Sequence, residues 1–220
     1  MNNEHGIPMI NQHAPSFKAS TTKGFTKFPS DYRGNWVILF SHPGDFTPAS
    51  TTEFMRFAHM QKTFREMNTE LIGISTDTLQ SHIAWISSIK NVEYDDMKKM
   101  NIEFPVIDDA SREIAAQYGM IQGDQALRAT FVIDPKGYIR AMQFYPASTA
   151  RRIEEFKRII ESMQRSDHFD VATPENWHPG DDVLLPPPSN KPLADHRKSS
   201  DDESMRCYDW YICFIKDQSL

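Results

Sequence analysis

The feature that most constrains the fold is an alternation of short apolar runs with segments of helical periodicity. Residues 36–40 form a continuous run rich in β-forming side chains, which is typical of a strand buried on both faces. Residues 50–67 then place apolar side chains at three- and four-residue intervals, which predicts an amphipathic helix. The same patterns predict further strands at 71–75, 104–107, 130–134 and 138–145, and further helices at 83–89, 112–118 and 153–163. This order predicts an α/β fold with a mixed β-sheet flanked by helices.

The composition changes after residue 165, and we therefore predict two parts. Residues 1–165 contain the strand and helix patterns and form the main domain. Beyond them, prolines recur through a polar stretch that cannot hold long helices, so residues 166–220 are predicted to form an arm with a small C-terminal module. The segment 208–215 is densely aromatic, and we expect it to be buried because an exposed version would aggregate.

Charge and composition limit the partners. The chain has 30 acidic and 24 basic residues, a net charge of -6, whereas nucleic-acid binding requires clustered Lys and Arg. No apolar run approaches the ~20 residues that cross a bilayer, and the N-terminus lacks the pattern of a secretory signal. We therefore expect a cytoplasmic protein that binds neither nucleic acid nor membrane. Two cysteines do not make a disulfide framework, and the eight histidines form no metal-binding motif, so no metal is predicted.

The segment with candidate chemistry lies between the first buried strand and the first long helix. It reads Ser-His-Pro-Gly-Asp-Phe-Thr-Pro-Ala-Ser from Ser41 to Ser50, and loops at such a junction often form sites in α/β sheets. Taken alone, Ser50 and Glu53 predict a capping box, in which the two side chains close the first turn of the helix. This structural interpretation stays open beside the chemical one.

The same segment closely resembles the peroxiredoxin signature Pro-x-x-x-Thr-x-x-Cys. Pro43 and Thr47 are in register with it, and Ser50 stands where the family has its peroxide-attacking cysteine. The resemblance extends through the chain, since Arg128 matches the family arginine and Arg151 fits a second one. The proline-rich arm and the cysteine-containing C-terminus are similar to the branch with an extended C-terminal domain, known in archaeal and other prokaryotic members.

This resemblance implies a thioredoxin-like fold and a thiol-dependent peroxidase. Such proteins reduce hydrogen peroxide or alkyl hydroperoxides to water or alcohol, with electrons from thioredoxin or another thiol and without flavin, haem or metal. They assemble as dimers and frequently as rings of five dimers. We therefore expect a homodimer, with a decamer as the larger alternative, and no cofactor.

The matched residue types suit that reaction. A thiolate attacks one peroxide oxygen, and the first turn of a helix near an arginine favours the ionised sulfur. The resemblance gives Thr47 the role of holding the peroxide and Arg128 that of stabilising the charge that develops. Pro43 would wall the pocket, and His42 would hydrogen-bond the substrate or orient the loop. Arg151 is a weaker candidate for substrate binding.

Ser50 cannot perform the peroxide step, because a hydroxyl is essentially un-ionised at neutral pH and oxygen is a poor nucleophile toward oxygen. We therefore expect the chain as written to be inactive. An introduced Cys-to-Ser substitution is favoured, because the residues around position 50 keep the form that peroxide chemistry requires. A naturally non-catalytic binding or holdase protein is the alternative. A serine hydrolase is disfavoured, because no Gly-x-Ser-x-Gly motif occurs.

The resemblance assigns the second half of the cycle to the two cysteines. Cys213 is the first choice for the resolving cysteine, which would attack a sulfenic acid at position 50 of another subunit, and Cys207 is the alternate or auxiliary partner. Within one strand or one helix, the two would lie roughly 20 Å or 9 Å apart, too far to bond each other. Only an irregular loop would permit a bond between them.

Overall fold

The computed structural model describes residues 7–123, 125–199 and 204–217, and it divides the chain into two compact units. The first unit is Met1–Ile153 and the second is Glu154–Leu220. The boundary predicted at residue 165 lies later in the chain, within the helix that opens the second unit, and the predicted domains stay a prediction. Within the described residues, no helix combines the length and the apolar character needed to cross a membrane.

The first unit alternates strands with helices, as predicted. Its elements are β1 Phe17–Thr21, β2 Gly24–Phe28, a 3-10 turn at Ser30–Tyr32, β3 Trp36–Ser41, α1 Pro48–Glu66, β4 Thr69–Ser75, α2 Leu79–Ile89, β5 Glu93–Tyr94, β6 Met97–Lys98, β7 Val106–Asp108, α3 Glu113–Gln117, β8 Ile121–Gln122, β9 Gln125–Ala126, β10 Arg128–Ile133 and β11 Ile139–Tyr145.

Seven of these strands form one mixed sheet in the order β11, β10, β3, β4, β7, β1, β2. Strands β3, β4 and β7 are parallel, whereas β10 runs antiparallel to β3 and β11 antiparallel to β10. Every residue of β3 is buried, as predicted for residues 36–40. The predicted α/β fold with a mixed sheet is therefore confirmed.

The sequence patterns did not indicate the N-terminal hairpin of β1 and β2. Each of these strands buries only two alternate residues, Ala19 and Thr21 in β1 and Thr26 and Phe28 in β2. Half of the buried positions are threonines, so neither strand shows a clear apolar alternation. An edge hairpin of this kind is fixed by its place in the sheet more than by its own apolar pattern.

Helix α1 begins two residues before its predicted start. Thr47 is the N-cap residue with an extended backbone, and Pro48 occupies the first helical position, where its missing N–H leaves no donor unpaired. Ser50 consequently lies inside the first turn and not at the cap. The capping box predicted from Ser50 and Glu53 is therefore wrong, because the Glu53 carboxylate is buried and bonds to arginine side chains.

Aromatic packing fixes α1 against the sheet. The rings of Phe54 and Phe57 contact Phe40 of β3, with centroids 5.4 and 4.1 Å away, and all three side chains are fully buried. Burying one such side chain contributes roughly 1.5–3 kcal/mol relative to leaving it exposed. The first turn of α1 is thus held at the carboxyl end of β3.

The second unit contains more structure than the predicted arm. Its elements are α4 Ile153–Phe169, β12 Val183–Leu184, α5 Lys191–Ser199, β13 Met205–Asp209 and β14 Ile212–Ile215. The strands form an antiparallel sheet in the order β12, β14, β13. After α4, the longest helix among the described residues is the nine-residue α5, as the prolines lead one to expect. Helix α5 begins after Asn190, whose side chain accepts a hydrogen bond from the Leu193 N–H at 2.9 Å.

The prediction that the aromatic segment 208–215 is buried is wrong for the tip of this sheet in the single chain. Tyr208, Trp210 and Tyr211 are 69%, 39% and 54% exposed. Cys213 is fully buried, because side chains alternate between the two faces of β14. Cys213 is therefore covered, while the rings of Trp210 and Tyr211 at the turn remain accessible.

Candidate functional site

The candidate site lies where β3 ends and α1 begins. Residues 42–47 form the connecting loop, and Ser50 is fully buried in the first turn of α1. Ser50 Oγ lies 2.6 Å from Thr47 Oγ1, which also contacts the carbonyl oxygen of Gly44 at 2.8 Å. A hydroxyl has one hydrogen and two lone pairs, so Thr47 can donate to one partner while accepting from another. The N-terminal end of the helix also favours negative charge at this position.

Arg128 is the second side chain that contacts Ser50. Its Nη1 lies 3.3 Å from Ser50 Oγ and 2.7 Å from Glu53 Oε2. Its Nε donates to the carbonyl oxygen of Ala147 at 3.0 Å, so the guanidinium is held at two points. Arg128 is fully buried, which prevents solvent from screening its charge. A fixed positive charge therefore faces the atom at position 50.

Arg151 supports the site through Glu53 rather than through Ser50. Its Nε and Nη2 donate to the two carboxylate oxygens of Glu53, each at 2.8 Å, and its backbone N–H donates to Oε1 at 2.7 Å. Its Nη1 donates to Thr130 Oγ1 at 3.1 Å. Two guanidinium groups thus share one carboxylate, and this buried cluster has one positive charge in excess.

The protonation states preserve that excess. Burial alone raises the pKa of Glu53, but the hydrogen bonds and charge of Arg151, followed by the charge of Arg128, outweigh burial and hold this pKa below its usual range. Burial lowers the pKa of Arg128, Glu53 opposes this, and the charge of Arg151 adds to it. An arginine nevertheless stays charged near neutral pH. The cluster therefore favours an anion at position 50.

A second buried cluster holds the loop itself. His42 Nε2 lies 2.9 Å from Asp45 Oδ1, and Asp45 Oδ2 lies 2.8 Å from His82 Nδ1. His82 Nε2 contacts the carbonyl oxygen of Ile107 at 3.0 Å, and the Asp45 N–H donates to Asp77 Oδ2 at 2.9 Å. These contacts tie the loop to α2 and to β7. His42, Asp45 and His82 are all buried.

The charges within this cluster follow from its burial. Burial alone raises the pKa of Asp45, but the hydrogen bonds from His42 and His82 outweigh it and hold the pKa far below its usual range. Burial lowers the pKa of His42, and this outweighs the opposing effect of the hydrogen bond that His42 donates to Asp45. One ring nitrogen of each histidine and one carboxylate oxygen of Asp45 lie within 4.8 Å of one another, a grouping that the sequence spacing does not reveal. The expectation of no metal stays a prediction.

Some of the predicted site residues contact Ser50 directly, and others do not. Thr47 and Arg128 contact Ser50 directly. Pro43 is half-buried in the loop, and His42 is buried with its Nε2 on Asp45. The sequence interpretation missed three members of the two clusters: Glu53, Asp45 and His82.

The missed residues differ in the signal they offer. Glu53 follows Ser50 by three residues, so both lie on one helical face, and a carboxylate there could have been paired with the two candidate arginines. His82 offers a weaker signal, because it is a polar residue at helical spacing from Trp85 and Ile89. All three of these α2 side chains are buried.

Cys207 and Cys213 lie much closer together than the sequence analysis predicted. Cys207 and Cys213 form a disulfide, with Cα atoms 4.0 Å apart. The two residues are directly paired across β13 and β14, because the chain reverses at Trp210 and Tyr211. The expectation that they lie too far apart to bond is therefore wrong, since it assumed one continuous strand or helix where a hairpin forms, with a register shift between Cys207 and Asp209.

The comparisons with known proteins agree with this architecture. Residues 10–142 match the AhpC/TSA family, and residues 162–193 match the C-terminal domain of 1-Cys peroxiredoxin. A peroxiredoxin of Methanosarcina mazei is 52% identical over 216 residues, which cover 96% of this chain and 99% of that protein.

Two solved structures are similar over almost the whole chain. A yeast mitochondrial 1-Cys peroxiredoxin, studied for thiol resolution through the glutathione and thioredoxin systems, is 35% identical with a TM-score of 0.82 and covers 96% of this chain and 100% of its own. A cysteine-to-serine variant of peroxiredoxin 6 from Arenicola marina is 30% identical with a TM-score of 0.83, covering 98% and 100%.

Fold and site together define an α/β protein of thioredoxin-like architecture with a C-terminal extension, in which a helix N-terminus and an arginine face one buried side chain. The chain belongs to the peroxiredoxin family. The resemblance to the peroxiredoxin family that the signature loop indicated is thereby confirmed, whereas the role of position 50 stays a prediction.

Proposed function

We propose that the chain is built as a thiol-dependent peroxidase and that Ser50 makes this form inactive. The observation that carries the proposal is the set of contacts on Ser50 Oγ: Thr47 at 2.6 Å and Arg128 at 3.3 Å, beside a buried cluster with excess positive charge. Such a set suits a thiolate, which a serine hydroxyl cannot replace at neutral pH.

The proposed step balances without a cofactor. With cysteine at position 50, the thiolate sulfur bonds to one peroxide oxygen and the O–O bond breaks. The departing oxygen takes a proton and leaves as water or alcohol, while the sulfur becomes a sulfenic acid. Thr47 is proposed to hold the peroxide and Arg128 to stabilise the charge on the separating oxygens. Pro43 and His42 are proposed as pocket residues, and Arg151 as the residue that positions Glu53 and Arg128.

Steady-state peroxide consumption tests this function. The Ser50→Cys variant is expected to consume hydrogen peroxide and an alkyl hydroperoxide with thioredoxin, thioredoxin reductase and NADPH, whereas the parent chain and Ser50→Ala are expected to consume none. Absence of turnover in a folded Ser50→Cys protein would favour the alternative, a non-catalytic binding or holdase protein. That alternative rests on the serine itself.

Arg128 provides a second prediction. In the Ser50→Cys background, Arg128→Met is expected to lower the rate constant for the thiol and hydrogen peroxide by about 10²–10³, the usual effect of removing one preorganised donor at a developing charge. Arg56→Met is the matched control, because Arg56 lies on α1 in a partly exposed ion pair with Asp95. Equal rates in the two variants would remove Arg128 from the reaction.

Resolution is proposed to follow when Cys213 attacks the sulfenic acid of another subunit, which forms a disulfide and releases water. The Cys207–Cys213 bond must first be reduced by a thioredoxin-like reductant, because a disulfide sulfur offers no thiolate. On a non-reducing gel, reduced Ser50→Cys protein treated with peroxide is expected to form a covalent dimer. Cys213→Ser should abolish that dimer, whereas Cys207→Ser should retain it.

The reverse pattern on the gel would make Cys207 the resolving residue. The exposed rings at the turn between β13 and β14 support contact with a second subunit, since apolar rings are enriched at interfaces. We propose a homodimer, with a decamer as the larger form. The cytoplasmic location stays a prediction.

A further inference from the structure

Both ring nitrogens of His82 face oxygen atoms. Its Nδ1 lies 2.8 and 3.0 Å from the two carboxylate oxygens of Asp45, and its Nε2 lies 3.0 Å from the carbonyl oxygen of Ile107. A carboxylate and a carbonyl can only accept, so each ring nitrogen must donate. His82 is fully buried, which makes both hydrogen bonds necessary. The geometry therefore describes an imidazolium paired with the Asp45 carboxylate.

His42 faces the same carboxylate in a different state. Its Nε2 donates to Asp45 Oδ1 at 2.9 Å, whereas its buried Nδ1 has no hydrogen-bond partner among the described residues. A hydrogen on Nδ1 would be a buried donor without an acceptor, which costs about 1–3 kcal/mol. The geometry consequently favours a neutral imidazole with its hydrogen on Nε2 and a free lone pair on Nδ1.

The His42 ring lies against α1, the helix that carries Ser50. The His42 ring packs edge-on against Phe54, with centroids 4.8 Å apart, and it contacts Trp85 of α2 at 5.0 Å. Phe54 follows Ser50 by four residues, so both lie on the same face of α1. A neutral imidazole in this place can accept a hydrogen bond, for example from the O–H of a hydroperoxide, whereas an imidazolium can only donate.

We propose that His82 is a positioning residue that keeps His42 neutral by supplying the positive charge that Asp45 requires. Without that charge, the negative charge of buried Asp45 would instead favour the uptake of a proton by His42, which would become the cation. Asp77 strengthens this demand, because its negative charge also favours protonated His42, and it accepts hydrogen bonds from the Asp45 N–H and the Ser75 hydroxyl. The proposed effect of neutral His42 on catalysis rests on the proposed peroxidase function.

Nitrogen NMR of the histidine rings tests the proposed role of His82 in the unmodified Ser50 chain, because protonated and unprotonated ring nitrogens give distinct signals. At about pH 7 the parent is expected to have hydrogen on both nitrogens of His82 and only on Nε2 of His42. In His82→Asn, the amide retains a donor to Asp45 but removes the charge. The midpoint of His42 protonation is then expected to move up by about 1 pH unit or more.

Two further variants make the test specific. Asp45→Asn removes the carboxylate, so His42 is expected to stay neutral and show no upward movement of its midpoint. His59→Gln changes a half-exposed histidine on α1 and is expected to leave the His42 signals unchanged. An unprotonated ring nitrogen on His82 in the parent, or an unchanged His42 midpoint in His82→Asn, would overturn the proposal.

A kinetic measurement tests whether the protonation state of His42 affects the reaction with peroxide. In the Ser50→Cys background, His82→Asn is expected to slow the reaction with hydrogen peroxide about tenfold at neutral pH, and the rate is expected to recover as rising pH deprotonates His42. A folded Ser50→Cys protein without any peroxide reaction would refute the proposed function while leaving the NMR result intact. A normal rate in His82→Asn, despite protonated His42, would refute the positioning role alone.

Discussion

The Ser50→Cys variant is expected to react with hydrogen peroxide at least about 10³ times faster than free cysteine, the effect of one well-placed donor at a developing charge. Free cysteine is mostly a thiol at neutral pH, since its pKa is about 8.5. At position 50, the helix N-terminus, the Arg128 guanidinium and the excess charge of the Glu53 cluster all favour the thiolate. The ultraviolet absorbance of the thiolate as a function of pH measures the pKa of this thiol directly.

The same titration separates the sources of stabilisation. Two cysteines elsewhere in the chain would also absorb when reduced, so the experiment uses the background in which Cys207 and Cys213 are both serine. Arg128→Met should then move the thiol pKa upward, because it removes the nearest fixed positive charge. A thiol pKa in Ser50→Cys equal to that of free cysteine would contradict the electrostatic part of the account.

Glu53→Gln is expected to destabilise the fold by about 3–5 kcal/mol, the usual cost of removing one partner from a buried ion pair. The amide leaves Arg128 and Arg151 as two buried cations without a compensating charge. Urea unfolding measures the loss, and Glu66→Gln is the matched control on the same helix. Glu66 forms an exposed pair with Lys62, so the control is expected to change stability by less than about 1 kcal/mol.

The Glu53 effect has a defined dependence on pH. Because its pKa is held below the ordinary value of about 4.3, the carboxylate stabilises the fold fully above that value. This contribution is lost as the pH falls through the lowered pKa of the folded state. The difference in stability between parent and Glu53→Gln should therefore be largest near neutral pH and should shrink below about pH 4. A difference that grows on acidification would refute this assignment.

The central part of the fold could be predicted from the sequence because its signals are local. The buried strand β3 is a continuous apolar run, and α1 repeats apolar residues at helical spacing. The signature loop between them could be read directly, since Pro43, Thr47 and position 50 lie within eight residues of each other. These features require no knowledge of distant contacts.

Other features depend on contacts far apart in the sequence. The buried face of α2 carries His82, Trp85 and Ile89, whereas Ile83, the apolar residue at which the predicted helix begins, is 54% exposed. His82 is buried because Asp45 and the carbonyl of Ile107 meet there, and neither partner is near it in the sequence. Hydrogen bonding across the fold therefore outweighed the apolar pattern on this helix.

The C-terminal hairpin illustrates the same limit. The predicted separation of Cys207 and Cys213 treated the intervening residues as a single element, but a turn at Trp210 and Tyr211 places the cysteines opposite each other. This turn lacks the Asn-Gly or Asp-Gly pair that marks a tight hairpin in a sequence. Pairing with β12 on the other side of β14 helps to define the hairpin, and that contact is not local.

The proposed peroxidase function requires that the surroundings of position 50 activate a peroxide-attacking sulfur, and a single-turnover reaction measures this activation most directly. Reduced Ser50→Cys protein with Cys207 and Cys213 replaced by serine is mixed rapidly with an equal amount of hydrogen peroxide, and thiol loss is followed against free cysteine at the same pH. We predict loss of one thiol per chain at a rate at least about 10³ times that of free cysteine. A folded variant that reacts no faster than free cysteine would contradict the account.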